Sequence, residues 1–358
     1  MKKNNKVVIF GPFVGEFGWE LLFWQGWVRK ICSKNEFRNF HKVAISFPGR
    51  FPFYPYVDEF RSLPTNILEL NISSRNYITD GWRDGFPGKA ISYETNIFKM
   101  VKDLSTLRRP QKKINEEPWQ GPSVEIHVAE YIEKLKKEYS SADVLKIFSP
   151  TRINEFDGLR FGFNCDSEPR YFYKPENIFP IPFEEQNLEK ILYSKISVEI
   201  TNKSSKKIIS IFPRQRTFRR EDKNWDEAKY LDVIDYLIEQ GYLVAIHGEP
   251  NGAYFSDLKR DNLLNLINLD SEYRLNTQIY VLNHSLLAFG AMSGATLMSL
   301  ATGCPTIIFG YSSEKRRYEK ENYLKTPLVY LPTINPSVCL VKESITDFIN
   351  ARKIHDGF

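Results

Sequence analysis

The amino-acid sequence predicts an α/β protein built as two units in tandem, and three observations carry that expectation. Short, nearly continuous apolar runs alternate with segments of helical periodicity, the pattern of parallel strands covered on both faces. The alternation lapses between Ser149 and Phe183, where Pro, Gly, Asn and aromatic residues crowd together without a period, and it restarts at Lys207. Each half opens alike, with an apolar strand running into a loop rich in Gly or Arg.

Taken in order, the first half begins with a strand at Val7–Phe10, then a Gly-rich loop and the helix WELLFWQGWVRKI. The charged-then-apolar opening has the look of a signal peptide, but Gly11-Pro12 interrupts it and no small-residue cleavage site follows, so it reads as a strand. A second strand is expected at Lys42–Phe47 and a third at Asn66–Leu70. Val124, Val128, Tyr131, Ile132, Leu135 and Tyr139 recur at helical spacing, and a strand follows at Val144–Phe148. The second half reads as a strand at Lys207–Phe212, a basic loop, and a helix from Asp226 to Gln240 stopped by Gly241. The strands YLVAIH and LLNLINL, a helical segment at Thr277–Asn283 and the strand SLLAFG come next. A small-residue turn and a helix then lead to strands at Pro305–Gly310 and near Leu328, and a last helix is expected over Glu343–Arg352. The expected layout is two Rossmann-like domains with a cleft between them, residues 1–180 and 181–335. The segment 336–358 is expected to be a helix packing back on the first domain. Ligands of such sheets bind at the carboxyl ends of the strands, where the two loops fall.

Composition excludes several classes. Of the 358 residues, 42% are hydrophobic and 14% aromatic, enough for sizeable cores and too apolar for disorder. Cys32, Cys165, Cys304 and Cys339 are far apart and form no C-x-x-C, which argues against a disulfide scaffold or a zinc site and for thiols in a reduced compartment. The uncharged stretch from Leu275 to Ser313 is broken by Ser293-Gly294, Thr302-Gly303 and Pro305, so it parses as strand, turn and short helix rather than a membrane span. The expected location is the cytoplasm, with peripheral contact at the inner face of a membrane left open by the aromatic run Trp19–Trp27. The net charge of +5 suits anionic ligands without indicating nucleic acid.

Three constellations carry chemistry. The loop GPFVGEFGWE brings Glu16 to a strand's carboxyl end between Gly15 and Gly18, where a carboxylate has no packing purpose and could serve as a general base; Glu20, in the first turn of the helix, is the fallback. The segment FPRQRTFRREDKNWDE follows a buried strand with Arg214, Arg216, Arg219, Arg220 and Lys223. Guanidinium forks and a lysine point charge suit phosphates, most of all at Arg214, Arg216 and Lys223; the competing reading is a solvated loop. The turn Ala291-Met292-Ser293-Gly294-Ala295-Thr296 would present backbone N–H groups at a helix start, an anion site or simply a tight packing turn. The chain has no D-x-D, G-x-S-x-G or H-E-x-x-H, and no metal or cofactor is expected.

At these residues the chain resembles the two-domain GT-B glycosyltransferases, above all the ADP-heptose-dependent lipopolysaccharide heptosyltransferases. Gly15-Glu16 stands where that family has a Gly-Asp loop with the catalytic base, and Asp222-Lys223-Asn224-Trp225 matches its D-K-x-W element with a donor-phosphate lysine. His247-Gly248-Glu249 is similar to its G-x-E strand end, and the run Gly303 to Gly310 to its G-x-P-T-[VI]-x-[LF]-[FY]-G. Met292 departs from the pattern, since the family has an acid before [ST]-G that contacts the donor, and this implies a different donor sugar. The arginines of P-R-Q-R also resemble those of GDP-binding fucosyltransferases. The likeness spans Lys207–Gly310 and the first thirty residues, and little of Phe47–Phe183.

The resemblance implies an inverting, metal-independent glycosyltransferase using a nucleotide-sugar co-substrate and a glycan or lipid-linked acceptor, as in polysaccharide biosynthesis. Glu16 or Glu20 would be the base, and Arg214, Arg216, Lys223, Ser293, Gly294, Ala295 and Thr296 the donor-phosphate site. Gly15, His247, Glu249 and Met292 would contact nucleotide or sugar. A sugar-nucleotide epimerase of the same architecture and a non-catalytic nucleotide- or glycan-binding module are the alternatives.

Overall fold

The computed structural model of the chain describes residues 6–14, 17–70, 121–148, 151–152, 161–162, 186–194, 206–216 and 221–355. The chain divides into two compact units, Met1–Leu188 and Glu189–Phe358, each built on a parallel sheet. The predicted α/β class is observed in both.

The first unit carries a four-stranded sheet in the order β3-β2-β1-β4, with β1 at Lys6–Phe10, β2 at His41–Ser46, β3 at Glu59–Ser62 and β4 at Val144–Phe148, and a separate antiparallel pair of β5 (Thr151–Arg152) and β6 (Phe161–Gly162). Val7, Ile9, Val43, Ile45 and Ile147 share one core cluster with Val128, Ile132 and Leu135 of the helix Gly121–Glu138, on the predicted helical spacing. After β1 the chain turns at Gly11, whose φ is +124° and where an added Cβ would lie 2.3 Å from the Ile45 carbonyl oxygen, so only glycine fits. The helix that follows changes pitch on the way, through α-helix at Phe17–Trp19, π-helix at Glu20–Trp24 and α-helix at Gln25–Cys32.

One expected strand is corrected. Thr65–Leu70 is an α-helix, and the third strand is Glu59–Ser62. Pro64 explains the switch, because its carbonyl accepts from the N–H groups of both Ile67 and Leu68 and so opens a helical turn. The sequence EFRS has no apolar run because β3 is an edge strand, paired with β2 alone.

The second unit carries six parallel strands in the order β12-β11-β10-β7-β8-β9. They are β7 (Ile208–Phe212), β8 (Leu243–Ile246), β9 (Leu263–Asn265), β10 (Ser285–Ala291), β11 (Thr306–Phe309) and β12 (Leu328–Leu331). The chain runs β7, β8, β9 outward to one edge, returns to β10 beside β7, and continues to the other edge. The order reverses between β7 and β10, so the loops that leave these two strands flank the topological switch point where open α/β sheets bind ligands. Gly290 makes the pair close, since an added Cβ there would lie 2.8 Å from both Cβ and O of Phe212.

The core of this unit joins Ile209, Ile211, Val244, Ile246, Phe289 and Ile307 to Tyr230, Val233, Ile234 and Leu237 of the helix Glu227–Glu239, which Asp226 caps by accepting from the Ala228 and Lys229 N–H groups. The C-terminal helix spans Val338–His355 and is longer than expected. It buries Val341, Ile345 and Ile349 in the second unit's core, because these apolar positions at helical spacing meet the helix Glu227–Glu239. Among the described residues no helix is long and apolar enough to cross a membrane.

Candidate functional site

In the second unit the chain leaves β7 through Pro213 and Arg214. This loop is tied to the one after β8: Arg214 bridges Ala253, Gln215 N–H donates to Gly252 O at 3.0 Å, and Tyr254 N–H to Pro213 O at 2.8 Å. At its far end Trp225 is fully buried between the rings of Tyr230 and Phe309, and its indole N–H donates to Pro336 O at 3.0 Å. The basic loop therefore hangs between a strand end and a buried tryptophan. Tyr230, also buried, donates its hydroxyl to Phe212 O at 3.2 Å, beside the backbones of Arg214 and Ala291. The ends of β7 and β10 are thus brought to one place.

Arg214 is only 7% exposed, and its Nη1 donates to Asn224 Oδ1. Among the described residues no carboxylate pairs with it; Asp222 acts on it only at longer range. Burial pushes its pKa down to about 10, with the neighbouring Arg216 cation adding to the effect, yet it stays charged at neutral pH. Arg216 lies on the same turn, its N–H donating to Asn224 Oδ1 at 3.0 Å. Lys223 Nζ lies 5.7 Å from the centre of the Tyr311 ring, just beyond β11. Arg219 and Arg220 fall outside the described residues.

After β10, Ser293 caps the helix Gly294–Ala301 by a reciprocal pair: its Oγ accepts from Thr296 N–H at 3.2 Å, and its own N–H donates to Thr296 Oγ1 at 3.0 Å. The Ser293 and Thr296 side chains are thereby committed to the cap. The N–H groups of Gly294 and Ala295, first in the helix, have no intrahelical acceptor and are the ones free to meet an anion.

The other predicted contacts lie differently. Met292 is 2% exposed and packs inward, its Sδ 3.4 Å from Tyr311 N. His247 is buried at 1% exposure, its Nε2 2.8 Å from Ser210 Oγ, which lies 2.7 Å from Ser285 Oγ. Ser285 Oγ donates to Val281 O at 2.7 Å, so Ser210 must donate to Ser285, and His247 must carry its proton on Nε2. Burial pushes the His247 pKa down to about 3 and keeps the ring neutral. Glu249 is exposed.

In the first unit Gly15 and Glu16 lie outside the described residues. Glu20 has no exposed surface. Its Oε1 accepts from Tyr54 Oη at 2.5 Å and from Ser46 Oγ, and its Oε2 faces Arg50 Nη1 at 3.4 Å. Arg50 lies 4.2 Å from the centre of the Phe17 ring and also faces Phe47 and Phe53. Burial pushes the Glu20 carboxyl up, Arg50, Ser46 and Tyr54 pull it back, and the net direction is upward. Sequence reasoning missed Ser46, Arg50, Tyr54 and the role of Asn224. No local pattern marks them, although a π-helical turn of the kind opened at Glu20 often attends a special site.

No family model and no curated protein matches the chain. Among solved structures it is similar to the E. coli ADP-heptose lipopolysaccharide heptosyltransferase II, at 12% identity and a TM-score of 0.49 over 97% of this chain and 99% of that one. It is similar to a family 9 glycosyl transferase from Veillonella parvula at 10% identity and a TM-score of 0.41, over 98% and 90% of the two chains. It is also similar to an E. coli heptosyltransferase solved with ADP, at 11% identity and a TM-score of 0.41, over 95% and 99%. All three scores fall below 0.5, and function is read from this chain's own residues.

Proposed function

We propose that the chain is an inverting glycosyltransferase of the GT-B type that needs no metal and moves a sugar from a nucleotide-sugar donor to a hydroxyl of a glycan or glycolipid acceptor. The observation that carries this reading is Arg214, a buried cation paired with no carboxylate among the described residues, at the switch point of a Rossmann-ordered sheet. A buried charge is costly unless paired, and a ligand diphosphate is the partner this position suits.

In the proposed reaction the acceptor oxygen attacks the donor's anomeric carbon, its proton passes to a base, and the bond to the nucleotide diphosphate breaks. Arg214, Arg216, Lys223 and the N–H groups of Gly294 and Ala295 would take up the charge that develops on the leaving phosphate, the work for which other enzymes of this chemistry use a divalent ion. The base falls to Glu16 rather than Glu20, because both Glu20 oxygens are already engaged and have no surface. Met292 in place of the acid of the resembled family supports a donor sugar other than heptose. A lipid-linked acceptor would bring the enzyme to the inner face of a membrane from the cytoplasm.

The test is a panel of ADP-, GDP-, UDP- and CMP-sugars incubated with the protein in chelator, followed by product analysis. A transferase releases nucleotide slowly from one donor, an epimerase returns a changed sugar, and a binding module does neither. With the donor known, Glu16→Gln should lower transfer by about 10²–10⁴-fold, the usual contribution of a general base, at unchanged donor affinity. Full turnover in Glu16→Gln removes Glu16 from the role.

A further inference from the structure

We infer that Asn224 is the positioning residue of the anion site, fixing Arg214 and the Arg216 backbone in place while bringing no counter-charge to the Arg214 guanidinium. The inference rests on the donor-phosphate reading above and adds to it the device that keeps the site cationic. Asn224 satisfies three groups of the loop at once. Its Oδ1 accepts from Arg214 Nη1 and, at 3.0 Å, from the Arg216 backbone N–H, and its Nδ2 donates to Arg216 O at 2.7 Å. The amide thus grips the Arg216 peptide on both sides, as a neighbouring strand would, and holds one fork of the Arg214 guanidinium with the same oxygen. Its own position is fixed by the buried Trp225 that follows it and by its N–H, which donates to Glu221 O at 2.8 Å.

The choice of amide over acid matters electrostatically. The acceptor oxygen of an aspartate would sit in the same place, but it would bring a full negative charge to a buried guanidinium and form an internal ion pair. Elsewhere in this chain the buried Arg50 is held in just that way, by Glu20. At Arg214 the orienting group is neutral, so the cation is aimed without being neutralised. A diphosphate entering the site then supplies the counter-charge, and the charge-assisted hydrogen bonds are formed with the ligand.

The experiment compares the full-length chain with Asn224→Asp and Asn224→Ala, titrating each by calorimetry with ADP, GDP, UDP and inorganic pyrophosphate and recording each thermal midpoint. Asn224→Asp should bind the preferred probe at least tenfold more weakly while its midpoint falls less than that of Asn224→Ala, since the new carboxylate pairs with Arg214 although it can no longer donate to Arg216 O. Asn224→Ala should lose both affinity and midpoint, because three hydrogen bonds go at once. A purely structural role would rank affinity with stability, so an Asn224→Asp chain that is more stable than Asn224→Ala and binds no better is diagnostic. Affinity retained in Asn224→Asp, or affinity that follows the midpoint across the two variants, overturns the inference about Asn224 alone. A wild-type chain that binds none of the four probes overturns the donor-phosphate reading beneath it.

Discussion

Each unit of this protein buries an arginine beside the end of a strand in its parallel sheet, and the two arginines are treated in opposite ways. In the first unit Arg50 meets Glu20, whose carboxylate also takes the hydroxyls of Ser46 and Tyr54, and aromatic rings close over the pair. In the second, Arg214 meets the neutral side chain of Asn224 and no carboxylate among the described residues. The first arrangement is complete in itself: every charge has its complement, and nothing is left over for a ligand. The second is incomplete by one anion. By the criterion of unbalanced charge, the proposed ligand site falls at the loops after β7 and β10 rather than at Glu20.

Matched substitutions break this comparison most directly. Arg50→Met keeps the length of the side chain but leaves Glu20 buried without its cation, and losing one partner of a buried pair costs about 3–5 kcal/mol. Arg214→Met removes a charge that no carboxylate among the described residues balances, so folding stability should hold or rise while nucleotide affinity falls. A lost charge-assisted hydrogen bond of about 1.5–3 kcal/mol corresponds to roughly a ten- to hundredfold weaker affinity. Denaturant unfolding and calorimetric titration of both variants decide the matter. If Arg214→Met is as destabilised as Arg50→Met and binds normally, Arg214 is structural and the contrast between the units collapses.

The same contrast explains what the sequence could and could not show. The parallel sheets were legible because VVIF, VLKIF, IISIF and TIIF are apolar throughout, as strands covered on both faces must be. β3 was not, since Glu59-Phe60-Arg61-Ser62 lies at an edge and has no reason to be apolar, while the apolar content of Asn66–Leu70 belongs to a short helix. The basic loop stood out because five cations in ten residues directly after a buried strand have no packing use. The partners did not, because Ser46, Arg50 and Tyr54 reach Glu20 from 26 to 34 residues away, and only the pairing of β1 with β2 brings them there. Asn224 is ten residues from Arg214, within a loop whose turns no periodicity reveals. Charge type is local information, but charge balance is a property of the folded chain.

A third buried group sharpens the picture by pH. His247 is neither paired nor charged; it is held neutral, with its folded pKa near 3 against 6.5 for the free side chain. The unfolded chain therefore takes up the proton first, and the stability due to the neutral ring is whole above about pH 6.5 and lost as pH falls toward about 3. Each pH unit in that window costs about 1.4 kcal/mol, so wild type should lose about 2 kcal/mol more than His247→Gln between pH 7 and pH 5. The glutamine amide can still donate to Ser210, so the difference isolates the titration. Parallel stability curves for the two proteins would show that His247 takes its proton in the folded state as readily as in the unfolded one.

The smallest expected effect concerns Ser293, where a cap and an anion site share one helix start. Its Oγ already accepts from Thr296 N–H, and the Ser293 N–H is taken by Thr296 Oγ1, so the serine's own groups are spent on holding the turn. Replacing such a cap by alanine costs about 1 kcal/mol and by glycine only a few tenths, because glycine leaves the first helical peptides open to water. Both substitutions keep the N–H groups of Gly294 and Ala295, which are the groups proposed to meet the phosphate. Nucleotide affinity should then hold within about twofold in Ser293→Ala and Ser293→Gly, even as thermal unfolding separates the two variants. A tenfold loss of affinity in both would mean that the hydroxyl itself binds phosphate, that it leaves Thr296 when the ligand arrives, and that the second unit is short of one more partner than its resting structure implies.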